Sequence, residues 1–383
     1  MNIGLSMKVT SRIVDAVTGQ IIKEQTGKNL VLDQGLNALA KSSTNSLSTS
    51  LAASFDRCLI GSGTNPTKFK DNAITFTQSG ITLTASGGFF TSAMVGGLFK
   101  WNTSGTEVYI SSFTDSTHVI LANSATVSTP DGGAVWQVQA TDLQTFLFAS
   151  TTYQTNTGDC GTTYNATNVV LQRTFVFGQQ ASPYSVNEIG WNPNNSGNNK
   201  ILGRIVLPST DNVGTSNIYV VVLALTINFS PNVPSAVSNV GTNINTAGNA
   251  MIEGYGITFV NTNGTTNTGS TTCLDGTTCK LNFATASYTQ NTTPNQSSTG
   301  KTVTTGITFN LVNWTYANAR GTMTATTNQS QSTTGQTLYG VGISDASGRF
   351  HFDILFTTPQ TAPNGTFNPI AVFQVVYGRT LVN

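Results

Sequence analysis

Charged side chains are scarce in this sequence. Asp, Glu, Lys and Arg together make up 9% of its 383 residues, against about 25% in an ordinary soluble domain. Thr, Ser, Asn and Gly take their place. A surface with so few charges offers little electrostatic repulsion against self-association. The scarcity therefore favours a protein that forms permanent contacts with copies of itself or with partners.

Other absences disfavour whole classes of function. The formal net charge is +1 and no basic run is present, so the sequence gives little support to binding of nucleic acid through its phosphates. No apolar run approaches the roughly 18 residues of a membrane helix. Residues 1–10 lack the basic and apolar regions of a signal peptide. We therefore expect synthesis in the cytoplasm, no membrane insertion and no nucleic-acid partner.

Cysteine and histidine are also rare, which leaves few ligands for a metal. Cys273 and Cys279 could close a small disulfide loop, but free thiols near a turn are favoured for a cytoplasmic product. No CxxC pair or second ligand cluster accompanies them, so no zinc site is predicted. His118 and His351 fall in strand patterns without a second ligand at suitable spacing. We interpret both histidines as ordinary strand residues.

The abundant residues favour strands and turns. Asn, Gly and Thr are poor helix formers, whereas Thr, Val, Ile, Phe and Tyr suit a pleated sheet. One helix is predicted where Leu32, Leu36 and Leu39 share a face at helical spacing, with Asp33 available to cap its start. The sequence thus predicts a mainly all-β protein of sandwich-like or barrel-like domains with one short N-terminal helix.

Three domains are predicted from the alternation of strand patterns with turn-rich stretches. Residues 1–80 and 141–230 form an N-terminal, β-rich assembly domain. Residues 81–140 form a small β-barrel or sandwich inserted into it, because their strands are short and closely spaced. Pro231 then breaks the chain. Residues 231–383 are predicted to form a C-terminal β-sandwich that serves as a tip or docking domain.

Short strands are predicted throughout the inserted region. They are Phe89–Phe90, Val95, Leu98–Trp101, Val108–Ile110, Val119–Leu121 and Val135–Val138. The assembly domain resumes with a strand from Val169 to Phe177, whose apolar residues alternate toward one face. Arg173 is the exception on that face.

A search for catalytic motifs finds one carboxylate of interest. Glycoside hydrolysis needs two carboxylates a few ångströms apart, and Glu188 has no partner carboxylate near it in the sequence. We favour a buried structural carboxylate that accepts backbone hydrogen bonds over an acid catalyst. Gly61-Ser62-Gly63 lacks the third glycine and the lysine of a phosphate cradle, so a tight turn is predicted. We predict no catalytic, cofactor-binding or metal-binding residues.

The four tryptophans offer another route to a binding site. Trp101, Trp136, Trp191 and Trp314 lie in or beside predicted strands. They could stack on sugar rings, but packing in the core is favoured because aromatic rings bury a large apolar area.

Several stretches of the sequence form a recognisable set. They are Thr26–Leu36 with Ile60–Pro66; Arg173–Phe175 with Asn187–Trp191 and Leu202–Leu207; and Phe90–Gly96 with Tyr109–Phe113 and Val119. Together they resemble structural proteins of tailed bacteriophages, and the closing Val372–Arg379 is similar to a terminal strand in some of them. The resemblance covers the chain from Thr26 to Phe229.

This resemblance implies a non-enzymatic virion component: a tail, fibre or other appendage protein in a symmetric oligomer. Its expected partners are copies of itself and other virion proteins. One alternative is a capsid-decoration or head-fibre protein. Another is a glycan-cleaving depolymerase or a host-glycan-binding receptor protein; a depolymerase requires a groove with two facing carboxylates. A third is a cellular surface-layer protein or adhesin, which requires an export route.

Overall fold

The computed structural model describes most of the chain up to residue 230 and shorter segments after it. The described residues are 2–39, 56–152, 154, 161–165, 168–193, 200–230, 235–237, 241–242, 248–252, 280–290, 307–308, 314–317, 320–325, 337–344, 350–361, 370–371 and 373–379. Strands dominate these ranges, and one short α-helix lies near the N-terminus. The predicted all-β class with one short helix is confirmed.

The elements follow one another in this order. The strands are β1 (Asn2–Asp15), β2 (Ile21–Val31), β3 (Arg57–Gly61), β4 (Lys68–Phe69), β5 (Phe76–Ser79), β6 (Thr82–Ala85), β7 (Leu98–Trp101), β8 (Glu107–Asp115), β9 (His118–Leu121), β10 (Gly133–Trp136), β11 (Phe146–Ser150), β12 (Gly161–Tyr164), β13 (Asn168–Phe177), β14 (Tyr184–Asn192), β15 (Gly203–Val213), β16 (Asn217–Ser230), β17 (Ser235–Val237), β18 (Gly241–Thr242), β19 (Gly248–Ile252), β20 (Lys280–Ala284), β21 (Ile307–Thr308), β22 (Trp314–Ala317), β23 (Arg320–Ala325), β24 (Thr337–Ser344), β25 (Phe350–Thr361), β26 (Ile370–Ala371) and β27 (Phe373–Arg379). Helix α1 spans Asp33–Leu39, and Ser92–Met94 form a 3-10 turn.

The largest sheet folds back on itself as a sandwich. Its strands run in the order β11-β3-β14-β15-β2-β1-β16-β13-β12. The Val176 amide donates to the Thr152 carbonyl at 3.0 Å and the Gln154 amide donates to the Thr174 carbonyl at 2.8 Å, so the chain after β11 lies against β13. The two layers, β11-β3-β14-β15 and β2-β1-β16-β13, therefore meet on both sides. Alternate residues of β1, such as Val9, are buried between them.

A second, seven-stranded sheet forms a small barrel in the order β4-β10-β7-β8-β9-β6-β5. Phe76 and Asp131 exchange backbone hydrogen bonds of 2.8 and 3.1 Å just before β10, which joins β5 back to the other end. Phe76, Phe99 and Trp101 are fully buried inside it. This sheet starts at Lys68, before the predicted start of the insertion at residue 81. The division into domains stays a prediction.

The predicted strands at Phe89–Phe90 and Val95 are wrong. Both phenylalanine amides donate to one acceptor, the Ser116 carbonyl, at 2.7 and 2.9 Å. Successive amides of a regular strand point to opposite sides, and neither phenylalanine lies in a strand. The Phe89 ring instead packs edge-on against Phe76 at 5.1 Å, and Val95 ends the 3-10 turn. The segment covers the barrel core.

The described strands of the later part of the chain belong to three sheets, one of which is the two-stranded pair β18-β26. A six-stranded sheet has the order β17-β19-β25-β24-β20-β21. Strands β22, β23 and β27 belong to the first sheet, where β27 pairs in parallel with β1 and places Arg379 opposite Leu5. Part of the predicted C-terminal domain is therefore hydrogen-bonded to the first strand of the chain.

Trp191 and Gly203 fix the register of β14 against β15. They lie directly opposite one another, and both are buried. A Cβ atom at Gly203 would overlap the Trp191 ring. The six-membered ring of the indole therefore occupies the space of a side chain at position 203, which only glycine allows.

We predict that Gly203→Ala destabilises the protein by about 1–3 kcal/mol, the usual cost of overpacking a core. Urea unfolding gives this free energy. Gly178→Ala is the matched control, because Gly178 is exposed and an added Cβ meets no atom there. Equal unfolding midpoints for the two variants would show that the packing of Trp191 does not require glycine at position 203.

Candidate functional site

Glu188 is the anchor of a buried hydrogen-bond cluster. The side chain is fully buried, and its carboxylate accepts backbone hydrogen bonds from Gly63 at 3.1 Å, Gln144 at 3.1 Å and Thr145 at 2.8 Å. Nε of Arg204 donates to it at 2.7 Å. These are the backbone contacts that the structural interpretation of Glu188 predicts.

The glycines of the Gly61-Ser62-Gly63 turn make room for this carboxylate. A Cβ at either Gly61 or Gly63 would come too close to Oε1 of Glu188. The turn therefore folds around a carboxylate of the chain itself. The tight turn predicted from the sequence is explained by this contact.

One cavity lies beside the cluster. It measures about 330 Å³ and is lined in part by Arg204, Gln144 and Asp142. Asp142 is the one carboxylate in its lining, and the linings of the two other cavities found among the described residues contain none. The two facing carboxylates that a depolymerase requires are not present in these three cavities.

A second buried carboxylate, Asp211, joins the two layers of the sandwich. It accepts hydrogen bonds from Ser11 Oγ at 2.7 Å, Tyr219 Oη at 2.8 Å and Gln25 Nε2 at 2.7 Å. Nζ of Lys23 lies 2.8 Å away. Burial, followed by the charge of Asp211, raises the pKa of Tyr219. The phenol is thus held as a hydrogen-bond donor.

A third cluster connects three parts of the chain at the start of α1. Oδ2 of Asp33 accepts a hydrogen bond of 2.8 Å from Tyr109 Oη in the barrel. Oδ1 accepts one from Nη2 of Arg379 in β27. The residue predicted to cap the helix therefore also ties the helix to the barrel and to the last described strand.

Arg173 does not point away from the apolar face of β13. Its side chain is fully buried and forms an ion pair with Asp56. In the sequence, Arg173 is the exception to the alternating apolar residues of this strand because it is charged. A carboxylate just before β3, far away in sequence, makes its burial tolerable.

His118 lies at the β8–β9 hairpin and has a nearby carboxylate. Its Nδ1 is 3.0 Å from Oδ1 of Asp115. Hydrogen bonds from the Thr117 hydroxyl and amide, then from His118, lower the pKa of Asp115 to about 2. Among the described residues no group of three or more His, Cys, Asp or Glu is placed to bind a metal. His351 lies in β25, but its side chain is not described.

The cysteine predictions are only partly covered by the structure. Cys58 is a buried free thiol, and burial raises its pKa well above the usual value. Cys273 and Cys279 lie outside the described residues.

Core packing is confirmed for two tryptophans. Trp101 and Trp191 are buried. Trp136 is partly exposed and carries Nζ of Lys68 4.6 Å from its ring centre. Trp314 lies in β22, but its side chain is not described.

Trp136 and Lys68 belong to the largest of the three cavities, with a volume of about 610 Å³. It lies where the barrel meets the β1–β2 hairpin. Its lining comprises Leu5, Ser6, Met7, Lys8, Thr26, Gly27, Lys28, Leu30, Val31, Thr67, Lys68, Trp136, Thr226 and Arg379. We call it the lysine cavity. The lysines were missed in the sequence because they are scattered singly along it.

An exposed apolar tip lies at the end of the same hairpin. Val17 is 90% exposed, Ile22 57% and Ile21 49%. The Asp15 carboxylate accepts hydrogen bonds from the amides of Val17 and Thr18 and so holds the turn backbone. The tip therefore presents three large apolar side chains to solvent on a hydrogen-bonded turn.

Comparison with known proteins gives no relative. No protein-family model, curated protein or solved structure matches this chain. In the part of the chain that the structure describes, no helix has the length and apolar character needed to span a membrane.

We predict that Glu188→Gln lowers the free energy of unfolding by about 3–5 kcal/mol, because it leaves the Arg204 guanidinium buried without its counter-charge. Glu24→Gln is the matched control. Glu24 pairs with Arg12 at the surface, so its loss costs at most about 1 kcal/mol. Urea unfolding compares the two. Wild-type stability of Glu188→Gln, with loss of a glycan-cleaving activity, would support the catalytic alternative instead.

The pKa of Asp115 offers a further test. Thr117→Val removes the hydroxyl donor, so the pKa of Asp115 rises from about 2 toward its usual 3.8. Because the folded-state pKa is depressed, the stabilisation by Asp115 is present above about pH 4 and is lost as pH falls toward 2. Carbon-13 NMR titration of the carboxylate measures this. Thr114→Val, next to Asp115 but not bonded to it, should leave the pKa unchanged; an equal shift there would contradict the assignment.

Proposed function

We propose that this protein is a non-enzymatic structural component of a bacteriophage virion, in a tail, fibre or other appendage, that assembles through protein–protein contacts. The observation that carries the proposal is the apolar tip of the β1–β2 hairpin. The resemblance of several sequence stretches to phage structural proteins is the reason for proposing a virion as the assembly.

The tip favours a contact because its exposed apolar residues lie at one end of the hairpin. Single exposed apolar side chains are ordinary on a protein surface, but Val17 in the turn and Ile21 and Ile22 at the start of β2 are all exposed. Covering apolar area is worth about 25 cal/mol per Å². Hydrogen bonds to Asp15 hold the turn backbone before any partner arrives, which lowers the entropic cost of binding.

The placement of charge supports assembly as well. Glu188, Asp211 and Arg173 are buried inside the sandwich, where they stabilise the fold and do not contribute repulsion at the surface. An already charge-poor chain therefore has an even less charged exterior. Such a surface opposes close approach of neighbouring copies only weakly.

Few sheet edges are free for assembly among the described strands of the sandwich and the barrel. The sandwich layers are joined at both sides, and the barrel is joined through Phe76 and Asp131. Among the described strands of the sandwich path, β12 is left with a neighbour on one side. It contains no charge or proline to block a further strand. The apolar tip remains the better-supported contact.

Imaging of particles tests the function directly. Antibodies raised against this chain should label purified virions of the phage that encodes it, at a defined position in electron micrographs. Mass spectrometry of the same virions should find the chain. Absence from the virions would overturn the proposal. Release of reducing sugar from host-surface glycans by the purified protein would overturn its non-enzymatic part.

We predict that the purified chain forms oligomers at neutral pH, and that Val17→Asp together with Ile22→Asp shifts it toward the monomer. Two charges at the tip would have to lose water in any contact. Size-exclusion chromatography with light scattering measures the shift. Ile81→Asp is the control, because Ile81 is exposed to a similar degree, 48%, but lies on the barrel. A stable monomer of the unaltered chain would contradict the prediction.

A further inference from the structure

The outer face of the β1–β2 hairpin carries a ladder of cross-strand pairs. Arg12 lies opposite Glu24, and Nε of Arg12 is 2.6 Å from Oε2 of Glu24. Thr10 lies opposite Thr26, and their hydroxyls are 3.0 Å apart. In both pairs the two side chains are chemically complementary, as is usual for directly opposed residues of a sheet.

The next pair breaks this rule. Lys8 lies directly opposite Lys28. Like charges in this position are destabilising, and neither lysine has a hydrogen-bond or ion-pair partner within the described part of the chain. Both lysines belong to the lining of the lysine cavity. The unfavourable pair therefore lies at the largest of the three cavities.

The opposite wall of the cavity adds a third positive charge. Nζ of Lys68 lies over the Trp136 ring. Burial, and then the charges of Lys70 and Lys100, lower the pKa of Lys68. No carboxylate lines the cavity. A negatively charged ligand would relieve the repulsion on both walls.

The remaining lining combines hydroxyl groups with apolar side chains. Ser6, Thr26, Thr67 and Thr226 border the cavity, and Trp136 contributes to its apolar part together with Leu5, Met7, Leu30 and Val31. The volume of about 610 Å³ lies within the roughly 300–1,000 Å³ range of ligand pockets. Hydroxyl groups both donate and accept hydrogen bonds, so this lining suits a ligand that itself carries several hydroxyls.

We infer that the lysine cavity binds an acidic saccharide unit. Its carboxylate lies between Lys8 and Lys28, its hydroxyls bond to the Ser and Thr side chains, and its C–H face contacts Trp136. A cluster of lysines alone would accept any anion. The hydroxyl groups and the aromatic ring in the lining favour a sugar over an acidic peptide. This inference does not depend on the virion role.

Calorimetric titration with a matched pair of probes tests the assignment. Sodium glucuronate and glucose differ in one carboxylate, and glucuronate should bind measurably while glucose binds at least tenfold more weakly. Affinity for glucuronate should fall as sodium chloride is raised, because salt screens the lysines. Saturation-transfer NMR should detect the sugar ring protons against the protein.

Single substitutions then locate the site. Lys28→Gln keeps the length of the side chain and removes its charge, and should weaken glucuronate binding about tenfold, since a charge-assisted hydrogen bond contributes about 1.5–3 kcal/mol. Trp136→Leu should weaken both probes. Lys200→Gln is the control, because Lys200 is exposed and outside the cavity lining, and it should bind as the parent does.

Four outcomes would overturn the inference. They are no detectable binding of glucuronate, equal binding of glucose, no effect of Lys28→Gln on a folded variant, and tighter binding of inorganic phosphate or oligoglutamate than of glucuronate. Thermal unfolding of each variant confirms that it is folded. Because Lys28 is exposed, its substitution leaves the core intact. None of these results bears on whether the chain is found in virions.

Discussion

The ion pair between Glu188 and Arg204 is the interaction on which much of the fold depends. A buried carboxylate is tolerated only when it is paired and its remaining lone pairs accept hydrogen bonds. Glu188 meets this condition by collecting amides from the turn after β3 and from the segment before β11. These segments are far apart in sequence, so the carboxylate holds them in one place and fixes where the barrel leaves the sandwich and returns to it.

Two further carboxylates connect separate segments of the chain in the same way. Asp211 ties the β1–β2 hairpin to β15, and Asp33 ties α1 to the barrel and to Arg379. In each case a carboxylate is placed where separate strands or layers meet. Several of the few charged side chains in this sequence are thus buried and connect separate strands or layers. The consequence is an exterior with even fewer charges than the composition alone implies.

Strands with a period of two were predictable because burial alternates along them, as in β1 and β13. The segment at Phe89–Phe90 was not, because its hydrogen bonds go to Ser116 in a distant hairpin. Arg173 was misjudged for a related reason, since its partner Asp56 is remote in sequence. The sequence could not predict that Lys8 lies opposite Lys28. Counting residue pairs outward from the hairpin turn gives the wrong partner, because the irregularity between Ile13 and Val14 shifts the register by one residue.

The buried charges of this protein are paired, whereas two lysines at the surface oppose each other beside the lysine cavity. Inside the sandwich the buried carboxylates Glu188 and Asp211 each have a cationic partner, because an unpaired buried charge would cost several kcal/mol. At the surface that penalty is smaller, so Lys8 and Lys28 can stay opposed without unfolding the hairpin. On a charge-poor exterior few other groups screen them, and their field extends to about 8–10 Å in physiological salt. A ligand with one negative charge would relieve the repulsion that the fold leaves between these two lysines.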